Sequence, residues 1–381
     1  MKAVILAAGL GRRMRPLTDH THKALLPIAG TTILDRLLGS LRDCNVHDIC
    51  IVTGYRAEQI TKAVEGGFAD LNVEYVHNAQ YETTNNIFSM ALACENISLD
   101  DDILLVESDL IVDHRTMQQI VQTPYQNAAL VDRHRVGMDG TVVSVASDDS
   151  ITHIHPSHLQ DEKFDFSDKY KTLNIYKFDK NFVKPVLRDL LSFYSRSIDS
   201  SCYYELLLGV LIYMRATTIY AERVEYPWAE VDDPNDLAVA EFDFNPSSRR
   251  PTVERSWGGS WSMPFLDFFF IRNAHFPTAA IVAEMRENLG LVMSRYGSSQ
   301  EILNRKMSYF QHCDERNIFL LNGASQAYPI LRSVFSNSSV LMPDPTFGEY
   351  RRIFPTAMTY LDAGDIDVAS VVTVAPGADL I

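Results

Sequence analysis

The chain has 381 residues, of which 46% are hydrophobic and 22% charged, and its net charge is −15. Because single hydrophobic cores stop growing at roughly 250 to 300 residues, this length predicts two globular domains. The acidic charge argues against nucleic-acid binding, whose affinity comes largely from Lys and Arg on phosphates. The most apolar stretch, residues 263–271, is far shorter than the ~20 residues that span a bilayer, so no membrane partner is expected.

The N-terminus and the cysteines favour a cytoplasmic location. The chain begins directly with the apolar run KAVILA at residues 2–7, without the long apolar region and cleavage site of a signal peptide. Its five cysteines are odd in number and show neither a CxxC pair nor a short disulfide framework. A reducing cytoplasm is the simplest setting for such a chain.

The first 245 residues alternate predicted strands and helices. Apolar runs predict strands at residues 2–7, 48–52, 73–77, 102–106, 128–131, 142–146, 173–178 and 218–225. Helical periodicity predicts helices at residues 32–42, 57–64, from 86 onward, 182–193 and 234–242. Alternating units of this spacing predict a doubly wound, Rossmann-like sheet, and the later strands with their polar loops predict that the sheet is mixed.

A polar segment with proline, serine and glycine, DFNPSSRRPTVERSWGG, follows the last of these helices. This composition is typical of a linker. We therefore expect a first domain over residues 1–245, a linker over residues 246–259 and a second domain over residues 260–381.

The strongest chemical signal is the string LAAGLGRRMRPLT at residues 6–18, followed by Lys23. Glycines let the backbone approach a triphosphate closely with its N–H groups inward, and basic side chains meet the negative charge. The string resembles the signature of the sugar-nucleotide pyrophosphorylase superfamily, which implies a nucleotidyltransferase. The nucleotide-binding residues that it predicts in this loop are Leu6, Ala8, Gly9, Gly11 and Arg12.

The resemblance also implies catalytic and metal-binding residues. Arg13 and Lys23 are expected to hold the phosphates and stabilise charge as the α-phosphorus is attacked. Asp109, at the end of a buried strand, and Asp232 match the two aspartates with which the superfamily holds its catalytic Mg²⁺, a cation that prefers oxygen ligands. A solvated strand-end acid is the alternative for each. The family usually has proline where this chain has His22.

Within the superfamily, nearly all of residues 1–242 are similar to phosphocholine and aminoalkylphosphonate cytidylyltransferases. The residues that carry this similarity are Gly54-Tyr55, Gln59, Asn78, Tyr81, residues 84–89, residues 171–176, residues 203–205 and residues 230–233. The resemblance implies transfer of CMP from CTP to a small phosphonate or phosphate, with release of pyrophosphate. Asn85, Asn86 and Gly54 are expected to frame the base, because amides both donate and accept hydrogen bonds. Helix capping is the alternative for either asparagine. Gln59 is expected beside Gly54, and a turn glycine and a surface glutamine are the alternatives for these two residues.

The acceptor is expected to lie beside the strand at residues 173–178. Lys171 is assigned to its phosphonate or phosphate, with a solvated lysine as the alternative. An aromatic and acidic wall around its ammonium group is expected from Tyr176, Tyr204, Glu205 and Trp228. Packing in the core is the alternative for the aromatic residues. The histidines of residues 152–158 are interpreted as part of an exposed hairpin, since no carboxylate or cysteine partner has metal-like spacing.

Residues 258–381 resemble the beginning of a fold-type I PLP enzyme of the histidinol-phosphate aminotransferase and threonine-phosphate decarboxylase kind. The matching pieces are residues 265–267, a predicted helix at 278–289, residues 296–297, LNGASQ at 321–326 and DPTFGEY at 344–350. In that family the Gly-Ala-Ser turn begins a helix whose N-terminus binds the cofactor phosphate. The Schiff-base lysine would follow later, and beyond Lys184 the sequence contains only Lys306. We therefore expect an incomplete fold-type I PLP-transferase α/β fragment of a truncated fusion, with PLP bound only in a full-length form.

Three other functions stay open. A sugar-1-phosphate nucleotidyltransferase would use dTTP, UTP or GTP; an inactive scaffold module is disfavoured by the intact Arg13, Lys23, Asp109 and Asp232. A PLP-dependent aminotransferase or decarboxylase is disfavoured by the missing lysine. The expected partners are CTP or another NTP with Mg²⁺, and a small phosphonate or phosphate; a homodimer is left open.

Overall fold

A computed structural model describes residues 1–135, 137–161, 163–256, 263–266, 268, 273, 275–362, 364 and 368–381. The chain forms two compact units, residues 1–270 and 271–381. The boundary therefore lies beyond the linker that the sequence predicts.

The first unit is built on a nine-stranded mixed sheet in the order β10-β9-β11-β6-β1-β4-β5, with β8 pairing to both β11 and β12. Its strands are β1 (Lys2–Ala7), β4 (Asp48–Thr53), β5 (Asn72–His77), β6 (Ile103–Glu107), β8 (Ala128–Arg133), β9 (Val142–Val145), β10 (Ile151–His155), β11 (Tyr170–Phe178) and β12 (Tyr220–Arg223). Two short pairs complete the strands: β2 (Pro27–Ile28) with β3 (Thr31–Thr32), and β7 (Leu110–Val112) with β13 (Trp228–Glu230). The predicted mixed, doubly wound sheet is confirmed.

Helices cover both faces of this sheet. They are α1 (Ile33–Asp43), α2 (Ala57–Gly67), α3 (Asn86–Asn96), α4 (His114–Gln122), α5 (Lys180–Phe182), α6 (Arg188–Ser197), α7 (Tyr204–Tyr213), α8 (Pro234–Phe244) and α9 (Arg249–Ser256). A π-helical turn, Val183–Leu187, joins α5 to α6. The sequence predicts α1, α2, α3, α6 and α8, and it does not predict α4, α7 or α9.

The central strand β1 explains why the sheet is buried on both sides. Its side chains alternate, so Val4 and Leu6 pack with α3 and α7 while Ala3 and Ile5 pack with α1 and α2. Strands β4 and β6 flank β1 in parallel. The carboxyl ends of these three strands therefore meet at one edge of the sheet, where open α/β folds bind their ligands.

The short pair β7 with β13 brings two distant acidic segments to the same edge. In this antiparallel pair Glu230 lies opposite Leu110, and the Val231 N–H donates to the Asp109 carbonyl oxygen at 2.9 Å. Asp109 and Asp232 consequently lie at neighbouring ends of one ladder. The sequence predicts the two aspartates separately and gives no sign of this pairing.

The predicted linker over residues 246–259 is largely helical where it is described. Ser248 donates to the Glu241 carbonyl oxygen, and the Arg249 guanidinium donates to the Phe242 carbonyl oxygen, so both side chains satisfy the free end of α8. Helix α9 follows directly, and the linker prediction is corrected over residues 249–256. Residues 257–259 and Asp267, which the sequence analysis used, lie outside the described residues.

The second unit contains further helices and one small sheet. Its helices are α10 (Ala279–Ser294), α11 (Gln300–Gln311), α12 (Ala327–Val334), α13 (Gly348–Ile353) and α14 (Val368–Val374), and its parallel strands are β14 (Leu341–Asp344) and β15 (Met358–Leu361). Helix α10 confirms the helix predicted at residues 278–289. Among the described residues, none of the helices has both the length and the apolar character that a bilayer-spanning helix requires.

Candidate active site

A cleft of about 540 Å³ lies at the carboxyl edge of the sheet in the first unit. Its lining includes most of the residues that the sequence assigns to the nucleotide, the phosphates and the metal. These are Leu6, Ala8, Gly9, Gly11, Arg12, Arg13, Lys23, Asn85, Asn86, Asp109 and Asp232. Of the residues assigned to the acceptor, Glu205 lines the cleft.

The loop after β1 needs glycine at position 11 for two reasons. Gly11 has φ +59°, a left-handed conformation that favours glycine. A Cβ atom there would also lie 3.1 Å from Thr18 Cγ2 and 3.3 Å from Lys23 Cβ. The Thr18 hydroxyl donates to the Gly11 carbonyl oxygen at 2.8 Å, which closes the loop. Close packing at this glycine fixes the stem of Lys23 beside the loop.

His22 anchors the turn that carries Lys23. The Ala24 N–H donates to His22 Nδ1 at 3.1 Å, so the proton of the neutral ring is on Nε2, which donates to the Ala7 carbonyl oxygen at 3.1 Å. The His22 N–H donates to Gln59 Oε1 at 2.9 Å. These three bonds tie the turn to the end of β1 and to α2. His22 thereby holds the position that proline usually occupies in the family.

The buried ring of His22 makes the stability of the unit dependent on pH. Burial lowers the pKa of His22 to about 4, helped by the Lys23 charge and opposed by the bond to Ala7. In the unfolded chain the pKa is about 6.5, so the unfolded state takes up the proton first on acidification. The stability from neutral His22 is present above about pH 6.5 and is lost as the pH falls toward about 4.

We expect the His22→Asn variant to lose less stability on acidification than the wild type. Asparagine does not titrate, and its side-chain oxygen can still accept from Ala24. Urea unfolding of both proteins at about pH 7.5 and about pH 5 measures the effect, and the wild type should lose about 2 kcal/mol more than the variant. If both proteins lost the same unfolding free energy between the two pH values, the protonation of His22 would not contribute to the stability of the unit.

Two cations and two carboxylates meet at the centre of the cleft. Lys23 Nζ lies 2.9 Å from Asp109 Oδ2 and 2.7 Å from Asp232 Oδ1. Arg13 contacts the second oxygen of Asp232 at 2.7 Å. Burial lowers the pKa of Lys23, but the two carboxylates outweigh it and raise the pKa above its usual value. Burial raises the pKa of Asp232, but the charges of Lys23 and Arg13 outweigh this effect and lower the pKa below its usual value.

The two aspartates have the chemistry of a magnesium site. Asp109 Oδ1 is buried and has no hydrogen-bond partner, so it is a free acceptor beside the cleft. Over the residues that the structure describes, no group of three or more His, Cys, Asp or Glu side chains is arranged to hold a metal. A pair of carboxylates suits Mg²⁺, which usually completes its octahedron with water and substrate phosphates.

Three further acidic side chains line the cleft; Glu205 is buried, and Glu107 and Glu230 are half-buried. Burial raises the pKa of Glu107 well above its usual value, with the charges of Asp109 and Glu205 adding to the effect. Burial also raises the pKa of Glu205 to about 7, and it raises that of Glu230 to about 7 against the opposing charge of Lys171. The cleft therefore contains three carboxyl groups whose ionisation is disfavoured, in addition to Asp109 and Asp232.

Glu107 and Glu230 are functional candidates that the sequence analysis missed. Each stands two residues before an aspartate of the site, in the strings Glu107-Ser108-Asp109 and Glu230-Val231-Asp232. Glu107 ends β6 and Glu230 ends β13, and each aspartate follows in the loop just after its strand. The repeated E-x-D string is the signal that could have identified both glutamates.

Comparison with known proteins agrees with this geometry. Residues 3–169 match the family model described as the MobA-like NTP transferase domain. The matched part contains the glycine-rich loop, Arg13, Lys23 and Asp109. This segment, less than half of the chain, is thus similar to MobA-like NTP transferase domains.

Two relatives show how far the similarity extends along the chain. The chain is 29% identical over 371 residues to a CMP-5'-(3-aminopropyl)phosphonate synthase of Streptomyces rubellomurinus, a match that covers 96% of this chain and 58% of that protein. It is 39% identical over 116 residues to the choline-phosphate cytidylyltransferase of Haemophilus influenzae, covering 29% of this chain and 45% of that protein. The chain thus spans about half the length of the curated relatives that it matches.

A solved structure shares the fold. The CTP:phosphocholine cytidylyltransferase of Streptococcus pneumoniae superposes with a TM-score of 0.53 and 21% identity, covering 63% of this chain and 97% of that one. This likeness confirms a Rossmann-like α/β nucleotidyltransferase fold with a mixed sheet.

The sequence assigns Asn85 and Asn86 to the base. In the structure both side chains already have hydrogen-bond partners within the protein. Asn85 caps α3 through the Asn86 N–H and donates to the Ser201 carbonyl oxygen at 3.2 Å. The Asn86 amide donates to Glu107 at 2.9 Å and accepts from the Tyr204 N–H at 3.0 Å. Both side chains therefore fix the wall of the cleft, and capping, the alternative reading of Asn85, is the observed contact.

Gly54 is not among the residues that line the cleft. A Cβ atom at this position would lie 2.7 Å from both the Ala8 carbonyl oxygen and Tyr81 Cβ. Glycine at position 54 therefore lets the glycine-rich loop and Tyr81 approach each other, and its contribution to the base pocket is indirect.

Three aromatic residues predicted for the acceptor wall do not line the cleft. Tyr176 is 1% exposed and Tyr204 is 0% exposed, and their rings pack edge to face in the core. Trp228 packs on the opposite side of the sheet and donates through Nε1 to Asp132 at 2.8 Å. The three rings pack among β11, α7 and β13. Of the four residues predicted for the acceptor wall, Glu205 is the one that lines the cleft.

Lys171 also differs from its predicted role. It is 1% exposed, and its ammonium group contacts Glu230 Oε2 at 2.9 Å and donates to the Thr172 carbonyl oxygen at 2.9 Å. Its charge is therefore already matched inside the protein. Lys171 holds Glu230 at the edge of the cleft, and contact with an acceptor phosphonate would require this ion pair to open.

The histidine-rich segment forms the predicted hairpin. Strand β10 pairs with β9, His153 is exposed, and His155 Nε2 lies 3.0 Å from the Ser144 hydroxyl. The rings of His153 and His155 stack at 5.9 Å. These contacts are structural, as the sequence predicts.

Proposed function

We propose that the chain transfers CMP from CTP to an aminoalkylphosphonate or a phosphocholine-like acceptor and releases pyrophosphate. The observation that carries the proposal is the convergence of Arg13 and Lys23 with Asp109 and Asp232 in one cleft beside a glycine-rich loop. The names of the relatives, which include an aminopropylphosphonate synthase and choline-phosphate cytidylyltransferases, support the choice of nucleotide and acceptor.

The reaction is a displacement at phosphorus. An oxygen of the acceptor's phosphonate or phosphate forms a bond to the α-phosphorus of CTP. The bond from that phosphorus to the bridging oxygen breaks, and pyrophosphate leaves with the electron pair. The protein contributes positioning and electrostatic stabilisation, as in other phosphoryl transfers. Arg13 and Lys23 supply the positive charge that stabilises the oxygens of the transition state.

Asp109 and Asp232 are the residues that would hold Mg²⁺. The free Oδ1 atom of Asp109 and the carboxylate pair at the end of the β7–β13 ladder fit an oxygen-ligated cation. When bound, Mg²⁺ would neutralise charge on the phosphate oxygens.

Glu107 and Glu205 suit a cationic acceptor. Both contact the Asn86 amide, at 2.9 and 3.4 Å, and desolvation raises the pKa of each. An ammonium group placed beside them would offset the cost of ionising two neighbouring acids. We therefore assign the amine of the acceptor to Glu205, and the loop side of the cleft to the nucleotide.

We expect CTP to be used at least about tenfold more efficiently than UTP, because the two bases differ in hydrogen-bond pattern at one edge. Pyrophosphate release is measured with CTP, UTP, GTP and dTTP, each with 3-aminopropylphosphonate, phosphocholine and glucose 1-phosphate. Equal rates with all four nucleotides would reduce the assignment to a nucleotidyltransferase of broad specificity. A preference for glucose 1-phosphate would favour the sugar-nucleotide alternative.

Residues 271–381 do not fit a PLP enzyme by themselves. Gly323 has φ +79°, and the turn Ala324–Gln326 leads into α12, which supports the resemblance to the family's phosphate-binding turn. Lys306, however, lies on α11 before this turn, and no lysine follows in the sequence. Covalent binding of PLP requires such a lysine, so we propose no PLP chemistry for residues 271–381 by themselves.

A further inference from the structure

In the structure Lys23 is in contact with the carboxylates that would bind Mg²⁺. Its ammonium group lies within 3 Å of one oxygen from Asp109 and one from Asp232. Arg13 occupies the second oxygen of Asp232. Three of the four carboxylate oxygens are therefore paired with cationic side chains, and Asp109 Oδ1 alone is free.

We propose that Lys23 is an internal counter-cation of the metal site, which a divalent cation must displace before the two aspartates can bind it. The proposal rests on the proposed function in taking Asp109 and Asp232 as the metal ligands. It adds that Lys23 has two alternative partners. In the nucleotide-free chain its partners are the aspartates, and in the loaded chain its partners are phosphate oxygens.

The need for a counter-cation follows from the charge of the cleft. Asp109 directly precedes β7 and Asp232 follows β13 by two residues, and Glu107 and Glu230 line the same cleft. Like charges that share one cleft repel where water is largely excluded. Lys23, with a side chain only 12% exposed, compensates this repulsion without a metal.

The mobility of Lys23 is restricted to its side chain. Its backbone is fixed by the bonds of His22 to the Ala7 carbonyl oxygen and to Gln59, and its Cβ is packed against Gly11. The four side-chain torsions can still carry the ammonium group from the aspartates toward the glycine-rich loop. One ammonium group cannot occupy both positions, so metal entry and the Lys23 contact exclude each other.

Coupling between metal and nucleotide follows from this exclusion. A divalent cation alone must break two ion pairs of Lys23 without giving the ammonium group a new partner. A nucleotide that arrives with the cation offers phosphate oxygens to the released lysine. The two ligands should therefore favour each other's binding, and the coupling is reciprocal by linkage.

The test is the affinity of the nucleotide-free protein for Mn²⁺, measured by electron paramagnetic resonance of the free ion. The proteins compared are the wild type, Lys23→Met and the matched control Arg12→Met, which removes a cation that lines the same cleft and has no ion pair with the aspartates. We expect Lys23→Met to bind Mn²⁺ at least about tenfold more tightly than the wild type, a change of about 1.4 kcal/mol. Arg12→Met should stay within about twofold.

Two results would overturn the proposal. Lys23→Met with wild-type affinity would show that the lysine does not compete with the metal. Equal tightening in Lys23→Met and Arg12→Met would show only a general effect of net charge. Circular dichroism establishes folding, and Lys23→Gln, which keeps a hydrogen-bond donor for the aspartates, replaces the methionine variant if that variant does not fold.

The outcome is independent of turnover. Tighter Mn²⁺ binding by Lys23→Met, together with no CMP transfer by the wild type, would support the counter-cation and reject the proposed function. CMP transfer by the wild type, together with unchanged Mn²⁺ binding by Lys23→Met, would support the proposed function and reject the counter-cation.

Discussion

The Lys23→Met variant should lose at least about 100-fold in kcat, equivalent to about 2.7 kcal/mol of transition-state stabilisation. In the wild type the Lys23 ammonium group contacts both aspartates. From this position in the cleft it can contact the phosphates of a bound nucleotide. Charge aimed at the reacting phosphorus acts mainly in the transition state, so the loss should appear in kcat more than in KM. Steady-state pyrophosphate release with CTP measures both constants.

The matched control for this experiment is Lys184→Met. Lys184 is an exposed lysine that pairs with Asp100 on the outside of the unit, so its loss should change turnover by less than about twofold. A folded Lys23→Met protein that turns over as fast as this control would contradict the assignment of Lys23.

The second large effect is expected for the aspartates. Asp109→Asn and Asp232→Asn should each reduce Mg²⁺-dependent turnover by at least about 1000-fold, since each substitution removes one of few protein ligands. Titration of activity with Mg²⁺ separates weaker metal binding from a slower chemical step. In Asp232→Asn, Arg13 and Lys23 also lose their shared partner, so this variant should bind CTP with altered affinity.

Asp43→Asn is the control for charge removal at a site far from the cleft, because Asp43 ends α1 and contacts Arg42 on the surface. It should retain nearly full activity. If only one of the two cleft aspartates proved necessary, the two-carboxylate metal site would be incorrect.

Local patterns predict much of this fold. The apolar run of β1, the periodicity of α1 and the glycine-rich loop are properties of short segments, and each lies where the sequence places it. Asn85 as the cap of α3 also follows from a local rule. Predictions fail where the answer depends on long-range packing, as at Tyr176 and Tyr204, whose burial is decided by the contact between β11 and α7.

The partners of charged residues in the cleft could not be derived in the same way. Nothing local indicates that Lys171 meets Glu230, since the two residues belong to distant strands. The same holds for Lys23, which the sequence assigns to phosphate and the structure places on two aspartates. The type of each residue indicates its chemistry, but only the assembled sheet determines which opposite charge it contacts.

The pairing of β7 with β13 also has a consequence for the order in which the protein matures during synthesis. Strand β7 leaves the ribosome early, whereas β13 follows after α7 and β12, near the end of the first unit. Ladders between distant segments form late because loop closure must precede them. A nascent chain that has not yet reached residue 228 lacks Asp232, one of the two residues that we propose as metal ligands. We therefore expect a chain that stops before β13 to show no CMP transfer.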